Sequence, residues 1–177
     1  MEREKTAAVV LAAGKGTRMQ SDVPKQYLLL GGRPVIYYAL KAFQDSFVDE
    51  LILVVEPGEE DKCRRQIVEQ YGFTKVKAVT AGGTERYDSV MNGLKQVSEG
   101  CAYVFIHDGA RPFLNQDILK RALETVRSHK ACVAAMPVKD TIKTAARGDG
   151  KTVPPDCAVC ATPDRSTLYA VQTPQCF

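Results

Sequence analysis

Leu11-Ala12-Ala13-Gly14-Lys15-Gly16-Thr17-Arg18-Met19 closes an apolar run, Thr6 to Ala13, and is followed by Pro24-Lys25. The run predicts a buried first strand that passes directly into a glycine-rich loop. Glycines let backbone N–H groups close on a phosphate chain without a Cβ in the way. Arg18 and Lys25 add two positive charges, so the loop suits a highly charged anion such as a nucleoside triphosphate. A P-loop is excluded by spacing, because Val9 stands where its first glycine belongs and Gly16 follows Lys15 in place of Ser or Thr. A dinucleotide fingerprint is excluded because Met19 occupies the third glycine position. Gly-Lys-Gly is also a common surface turn; the two basic residues after the first strand argue against that plainer alternative.

The rest of the chain continues the alternation. Glu50 to Val55, Val76 to Thr80, Cys101 to Ile106 and Ala131 to Met136 are predicted strands. Val35 to Phe43, Glu59 to Tyr71, Asp88 to Val97 and a segment from Asn115 to about Ser128 are predicted helices, the last with Asn115 as its cap. Strand–helix alternation at this rhythm implies an α/β, Rossmann-like fold: a mostly parallel sheet with helices on both faces. The pattern breaks after Pro137. The β-branched residues within Asp140 to Thr144 predict a strand, Arg147-Gly148-Asp149-Gly150 and Pro154-Pro155 are turn-forming, and little apolar periodicity remains up to Ser166. Residues 138–170 are therefore expected to form a protruding β-arm on a single domain spanning 1–177. Such an arm has too little apolar content to stand alone, so a second subunit is its expected support. A loose loop fits the composition nearly as well.

The chain has 177 residues, 45% hydrophobic and 25% charged, with a net charge of +3, which suits one globular domain and gives no case for nucleic acid. No apolar stretch is long enough to span a bilayer, and Met1-Glu2-Arg3-Glu4-Lys5 lacks the core of a signal peptide, so cytoplasm is the default. The six cysteines, including the lone pair Cys157 and Cys160, are read as reduced thiols.

Three further segments carry chemistry. Gly82-Gly83-Thr84-Glu85-Arg86-Tyr87-Asp88-Ser89 leads from a strand into a helix; Thr84, Arg86 and Ser89 offer hydrogen bonds to a base or ribose, although Asp88 or Ser89 also suits a plain helix cap. His107-Asp108-Gly109-Ala110-Arg111-Pro112 puts Asp108 at a strand's carboxyl end, where it is placed to hold Mg²⁺ for triphosphate chemistry. His107 reads as structural. Thr141 and Arg165, at the two ends of the arm, are candidates to grip a phosphate together, although each alone reads more readily as a solvated arm residue.

Taken in order, LAAGKGTRM with PKQY, GGTERYDSV, HDGARPF, PVKDTIK and VQTPQCF resemble the 2-C-methyl-D-erythritol 4-phosphate cytidylyltransferase family of the nucleotidyltransferases, from residue 6 to 177. The resemblance implies transfer of the cytidylyl group from CTP to the polyol phosphate, with release of pyrophosphate, in isoprenoid precursor synthesis. It implies that Ala12, Ala13, Gly14 and Gly16 contact the nucleotide, that Gly83, Thr84, Arg86 and Ser89 read base and ribose, and that Arg18 and Lys25 stabilise charge on the α-phosphate. It further implies Mg²⁺ on Asp108, and Thr141 and Arg165 holding the substrate across a homodimer. The arm between Lys143 and Arg165 is longer than the family pattern. The chain stops at Phe177, where the family continues with a segment carrying a second acidic ligand and a lysine, so weak or absent activity is expected of these 177 residues alone. A ribitol 5-phosphate cytidylyltransferase, a sugar-1-phosphate nucleotidyltransferase using another base, and a non-catalytic nucleotide-binding remnant are the alternatives.

Overall fold

β1 (Lys5–Ala12) is buried along nearly its whole length, as an interior strand covered on both faces must be. The structure is a computed structural model and describes residues 4–14, 23–145 and 159–177. After a 3₁₀ turn at Lys25–Tyr27, a minimal hairpin of β2 (Leu29–Leu30) and β3 (Arg33–Pro34) delivers the chain into α1 (Val35–Gln44). Pro34 presets the entry, and α1 buries Ile36, Tyr37, Ala39, Leu40 and Phe43, the face that a 3.6-residue period dictates. β4 (Glu50–Val55) is buried at every position. α2 (Glu60–Cys63) widens into a π-helical stretch, Arg64–Glu69, in place of one regular helix to Tyr71. β5 (Val76–Ala81) and α3 (Arg86–Leu94) follow.

α3 begins two residues before the expected Asp88. Glu85 and Asp88 form a reciprocal capping box, with the Glu85 N–H donating to Asp88 Oδ2 at 3.1 Å, and this sets the start. β6 (Cys101–Asp108) leads through the HDGAR turn to α4 (Gln116–His129). Asn115 Oδ1 accepts the Ile118 N–H there at 2.9 Å, as its cap position predicts. β7 (Cys132–Pro137), β8 (Thr144–Ala145), β9 (Val159–Ala161) and β10 (Tyr169–Cys176) complete the chain.

The main sheet has the order β5-β4-β1-β6-β10-β7. β5, β4, β1 and β6 are mutually parallel, and β10 runs antiparallel to β6. Successive residues of β1 and β4 feed opposite faces. Ala8, Val10, Leu51 and Leu53 join α1 and α4 in the larger core, while Val9, Ile52 and Val54 form a smaller one with Leu94 of α3. The expected mostly parallel sheet with helices on both faces is present.

The chain divides into two units, Met1–Ala134 with Thr173–Phe177, and Ala135–Gln172. In the second, β8 pairs antiparallel with β9. The predicted strand Asp140–Thr144 is corrected here: only Thr144 enters β8. Among the described residues, pairing with β9 covers Thr144 and Ala145, and the β-branched Thr141 and Ile142 join no ladder. The Arg147–Gly150 and Pro154-Pro155 turns lie outside the described residues.

Candidate active site

β1, β5 and β6 end at the same edge of the sheet. Leu11 stands opposite Asp108 in register, the Gly109 N–H donates to the Leu11 carbonyl at 2.8 Å, and the Gly82 N–H donates to the Val55 carbonyl at 2.7 Å. The loops after these strands enclose a cavity of about 360 Å³. Its wall comes from Leu11–Gly14 with Lys25 and Gln26, from Gly83–Arg86 with Ser89, and from Asp108 and Ala110. Ligands in open α/β sheets bind beyond the carboxyl ends of strands, which is where this cavity lies.

The first loop is held from below by Gln26. Its side-chain amide is buried and donates to the Ala12 carbonyl at 2.6 Å and to the Gly14 carbonyl at 3.1 Å. Lys25, the preceding residue, lines the cavity. Gly16 and Arg18, the other expected members of this loop, lie outside the described residues.

The second loop approaches the first closely. A Cβ on Gly82 would lie 2.5 Å from the Ala13 Cβ and 2.8 Å from Ser89 Oγ, so only glycine fits. Ser89 is buried. Its hydroxyl accepts the Gly83 N–H at 3.0 Å and donates to the Glu85 carbonyl at 3.3 Å. That hydroxyl therefore holds the loop in shape as well as facing the cavity.

The third loop centres on Asp108. One carboxylate oxygen accepts from Arg86 Nη2 at 3.2 Å, and the other from Arg111 Nε at 3.3 Å. Arg86 Nη2 also reaches Gln175 Oε1 at 3.4 Å, and the Asp108 N–H donates to Thr173 Oγ1 at 3.2 Å. Next to it, His107 is buried against Phe43 and donates from Nε2 to the Arg111 carbonyl at 3.1 Å. Burial pushes its pKa down, favouring the neutral ring, and Nδ1 has no partner among the described residues. His107 thus ties the HDGAR turn, which agrees with a structural role.

Of the expected site residues, Ala12, Ala13, Gly14, Lys25, Gly83, Thr84, Arg86, Ser89 and Asp108 come together at this cavity. Thr141 and Arg165 belong to the second unit, whereas every lining residue belongs to the first. Thr141 is exposed, and Arg165 Nη1 donates to the Lys139 carbonyl at 3.0 Å. Sequence reasoning missed Gln26, Thr173 and Gln175 as site residues. Their positions inside PKQY and TPQ, beside other functional residues, were the only available signal.

The family model described as 2-C-methyl-D-erythritol 4-phosphate cytidylyltransferase matches residues 6–177. The chain belongs to that family. It is 51% identical over 171 residues to the 2-C-methyl-D-erythritol 4-phosphate cytidylyltransferase of Lachnospira eligens, covering 96% of this chain and 71% of that protein. It is 44% identical over 174 residues to the cytidylyltransferase of the same name from Alkaliphilus metalliredigens, covering 98% and 69%. Among solved structures, the 4-diphosphocytidyl-2C-methyl-D-erythritol synthase of Anaerococcus prevotii superposes with a TM-score of 0.80 at 31% identity, covering 98% of this chain and 70% of that one. The chain thus spans about seven-tenths of the length of these cytidylyltransferases.

Proposed function

We propose that this cytidylyltransferase-family chain moves the cytidylyl group of CTP to 2-C-methyl-D-erythritol 4-phosphate, in the cytoplasm, as a step of isoprenoid precursor synthesis. The observation that carries this reading is the convergence of three loops, each bearing a family motif, on one cavity at the carboxyl edge of the sheet. A phosphate oxygen of the polyol phosphate attacks the α-phosphorus of CTP. The new P–O bond forms as the bond to the bridging α–β oxygen breaks, and pyrophosphate leaves with that electron pair. No covalent enzyme intermediate is needed; placement and fixed charge lower the barrier.

In this reading the backbone of Ala12–Gly14 and of Gly83 receives the nucleotide, with Thr84, Arg86 and Ser89 beside base and ribose. Lys25, joined by Arg18, offsets the negative charge that grows on the α-phosphoryl oxygens. Mg²⁺ is the implied metal. Among the described residues no cluster of three or more ligating side chains exists. The part-exposed Asp108 carboxylate at this cavity nevertheless fits an ion that takes its remaining oxygens from water and the triphosphate. Asp108 is the residue that would hold it, and the ion would neutralise phosphate oxygens and orient the chain. Thr141 and Arg165 are assigned to the polyol phosphate. A homodimer is assigned through the second unit, on the support of its exposed Met136, Ile142, Val159, Tyr169 and Val171.

The test is pyrophosphate release with CTP, Mg²⁺ and methylerythritol phosphate, set beside UTP, GTP and ribitol 5-phosphate. Turnover confined to CTP and methylerythritol phosphate is expected. Equal or better turnover with another base or with ribitol 5-phosphate, or none with CTP even from a form extended by the remaining segment of a relative, overturns the assignment.

A further inference from the structure

We infer that Gln26 is a positioning residue for the transfer reaction: its amide clamps the carbonyls of Ala12 and Gly14 and thereby fixes Lys25 against the nucleotide loop. The inference rests on the function proposed above. Gln26 is only 5% exposed, although glutamine is ordinarily a surface residue. A side-chain NH₂ has two donors, and here both go to one short loop, at 2.6 and 3.1 Å.

The placement at Ala12 follows from the ladder. The Leu11 carbonyl is taken by the Gly109 N–H at 2.8 Å, and the next carbonyl, that of Ala12 at the end of the strand, is taken by Gln26. In a planar trans peptide the carbonyl and the next N–H point in opposite directions. Holding the Ala12 carbonyl therefore also sets the direction of the Ala13 N–H.

The same clamp acts on Lys25. Lys25–Tyr27 is a single 3₁₀ turn, closed by the Tyr27 N–H on the Pro24 carbonyl at 2.9 Å. Its two residues after Lys25 are both anchored: Gln26 to the loop, and the Tyr27 hydroxyl to Cys63 Sγ at 3.0 Å. With the two residues after it anchored, the Lys25 backbone is held beside Ala12–Gly14. An apolar residue at 26 would fill the space and leave a buried carbonyl unpaired. A carboxylate would put negative charge against two carbonyl oxygens. The charged groups that line the same cavity are Lys25, Glu85, Arg86 and Asp108.

The experiment compares Gln26→Met and Gln26→Glu with the unsubstituted chain, with thermal unfolding to confirm that each is folded. Gln26→Met is expected to lower kcat/KM for CTP by about 30-fold, the cost of an unpaired buried acceptor. Gln26→Glu is expected to match that loss near about pH 8 and to recover part of it near about pH 5.5, because a protonated carboxyl donates one of the two bonds again. Gln26→Met shows no such recovery. Values within about threefold of the unsubstituted chain for both variants, or identical pH profiles for the two, overturn the inference. Absence of CTP turnover in the unsubstituted chain, also when it is extended by the remaining segment of a relative, overturns the proposed function instead. Gln26 is then judged by hydrogen exchange at the Ala13 and Gly14 amides: about tenfold or more faster in Gln26→Met upholds the clamp, and unchanged exchange overturns it.

Discussion

Arg86 and Asp108, 22 positions apart, face each other at the rim of the cavity, with Nη2 and Oδ1 separated by 3.2 Å. Two groups expected to serve different parts of a nucleotide, its base or ribose and its metal-bound phosphates, are thus partners. Both side chains are part-exposed, and pairs of this kind are worth at most about 1 kcal/mol. Such a pair holds two side chains at the rim and opens readily for a ligand that offers each a better partner.

Asp108→Asn should therefore leave the fold almost untouched while lowering turnover by at least about 100-fold, since metal-assisted charge neutralisation is worth several kcal/mol. The Mg²⁺ concentration for half-maximal rate should rise as well. Thermal unfolding, together with a Mg²⁺ titration of pyrophosphate release, checks both halves. An unchanged Mg²⁺ requirement would remove Asp108 from the metal.

Gly82→Ala should weaken nucleotide binding by about tenfold or more. The added methyl would meet Ala13 and Ser89 at 2.5 and 2.8 Å, and the cost of overpacking, about 1–3 kcal/mol, falls on the two loops that form the cavity. Calorimetric titration with CTP measures it. Wild-type affinity would mean that the first two loops are not held as close as the structure places them.

How far the sequence disclosed these features depended on whether the cause was local. β1 and β4 are short apolar runs bounded by turn-forming residues, which is how strands buried on both faces read, so the centre of the sheet was legible in the sequence. β10 was not legible. Its first half is exposed and Pro174 interrupts its pattern, and it became a strand by lying between β6 and β7 in the sheet. The site divides the same way. Glycine loops at strand ends announce themselves. The Thr173 hydroxyl on the Asp108 N–H and the Gln26 amide on Ala12 span 65 and 14 positions and exist only after folding.

Gly93 makes that contrast measurable. In a bare helix Gly→Ala stabilises by about 1 kcal/mol. In α3, a Cβ at this position would lie 2.9 Å from Val54 Cγ2 and still closer to Val9 Cγ1, both in a closed core between helix and sheet. Overpacking at about 1–3 kcal/mol outweighs propensity, so Gly93→Ala should destabilise by about 1 kcal/mol or more. A rise in the urea midpoint would show that the helix can shift to make room.

Glu50 supplies a pH test remote from the cavity. Its carboxylate is buried at the start of β4, where it accepts the Ser98 N–H at 2.6 Å and the Ser98 hydroxyl at 2.5 Å. Lys5 and Lys77 stand 3.7 and 3.8 Å away. Burial pushes the carboxyl pKa up, but the two Ser98 hydrogen bonds and the ammonium groups of Lys77 and Lys5 together outweigh it, and the net shift is downward from 4.5. A depressed carboxylate stabilises the fold above its unfolded pKa and loses that contribution as pH falls through its folded pKa. Glu50→Gln should accordingly be less stable by about 1–3 kcal/mol near neutral pH, and the gap should narrow once the pH drops below about 4.5. Urea unfolding of both proteins from neutral to acid pH reads the difference directly. A gap that stays constant through that window would mean that Glu50 contributes by shape and packing, with no part for its charge.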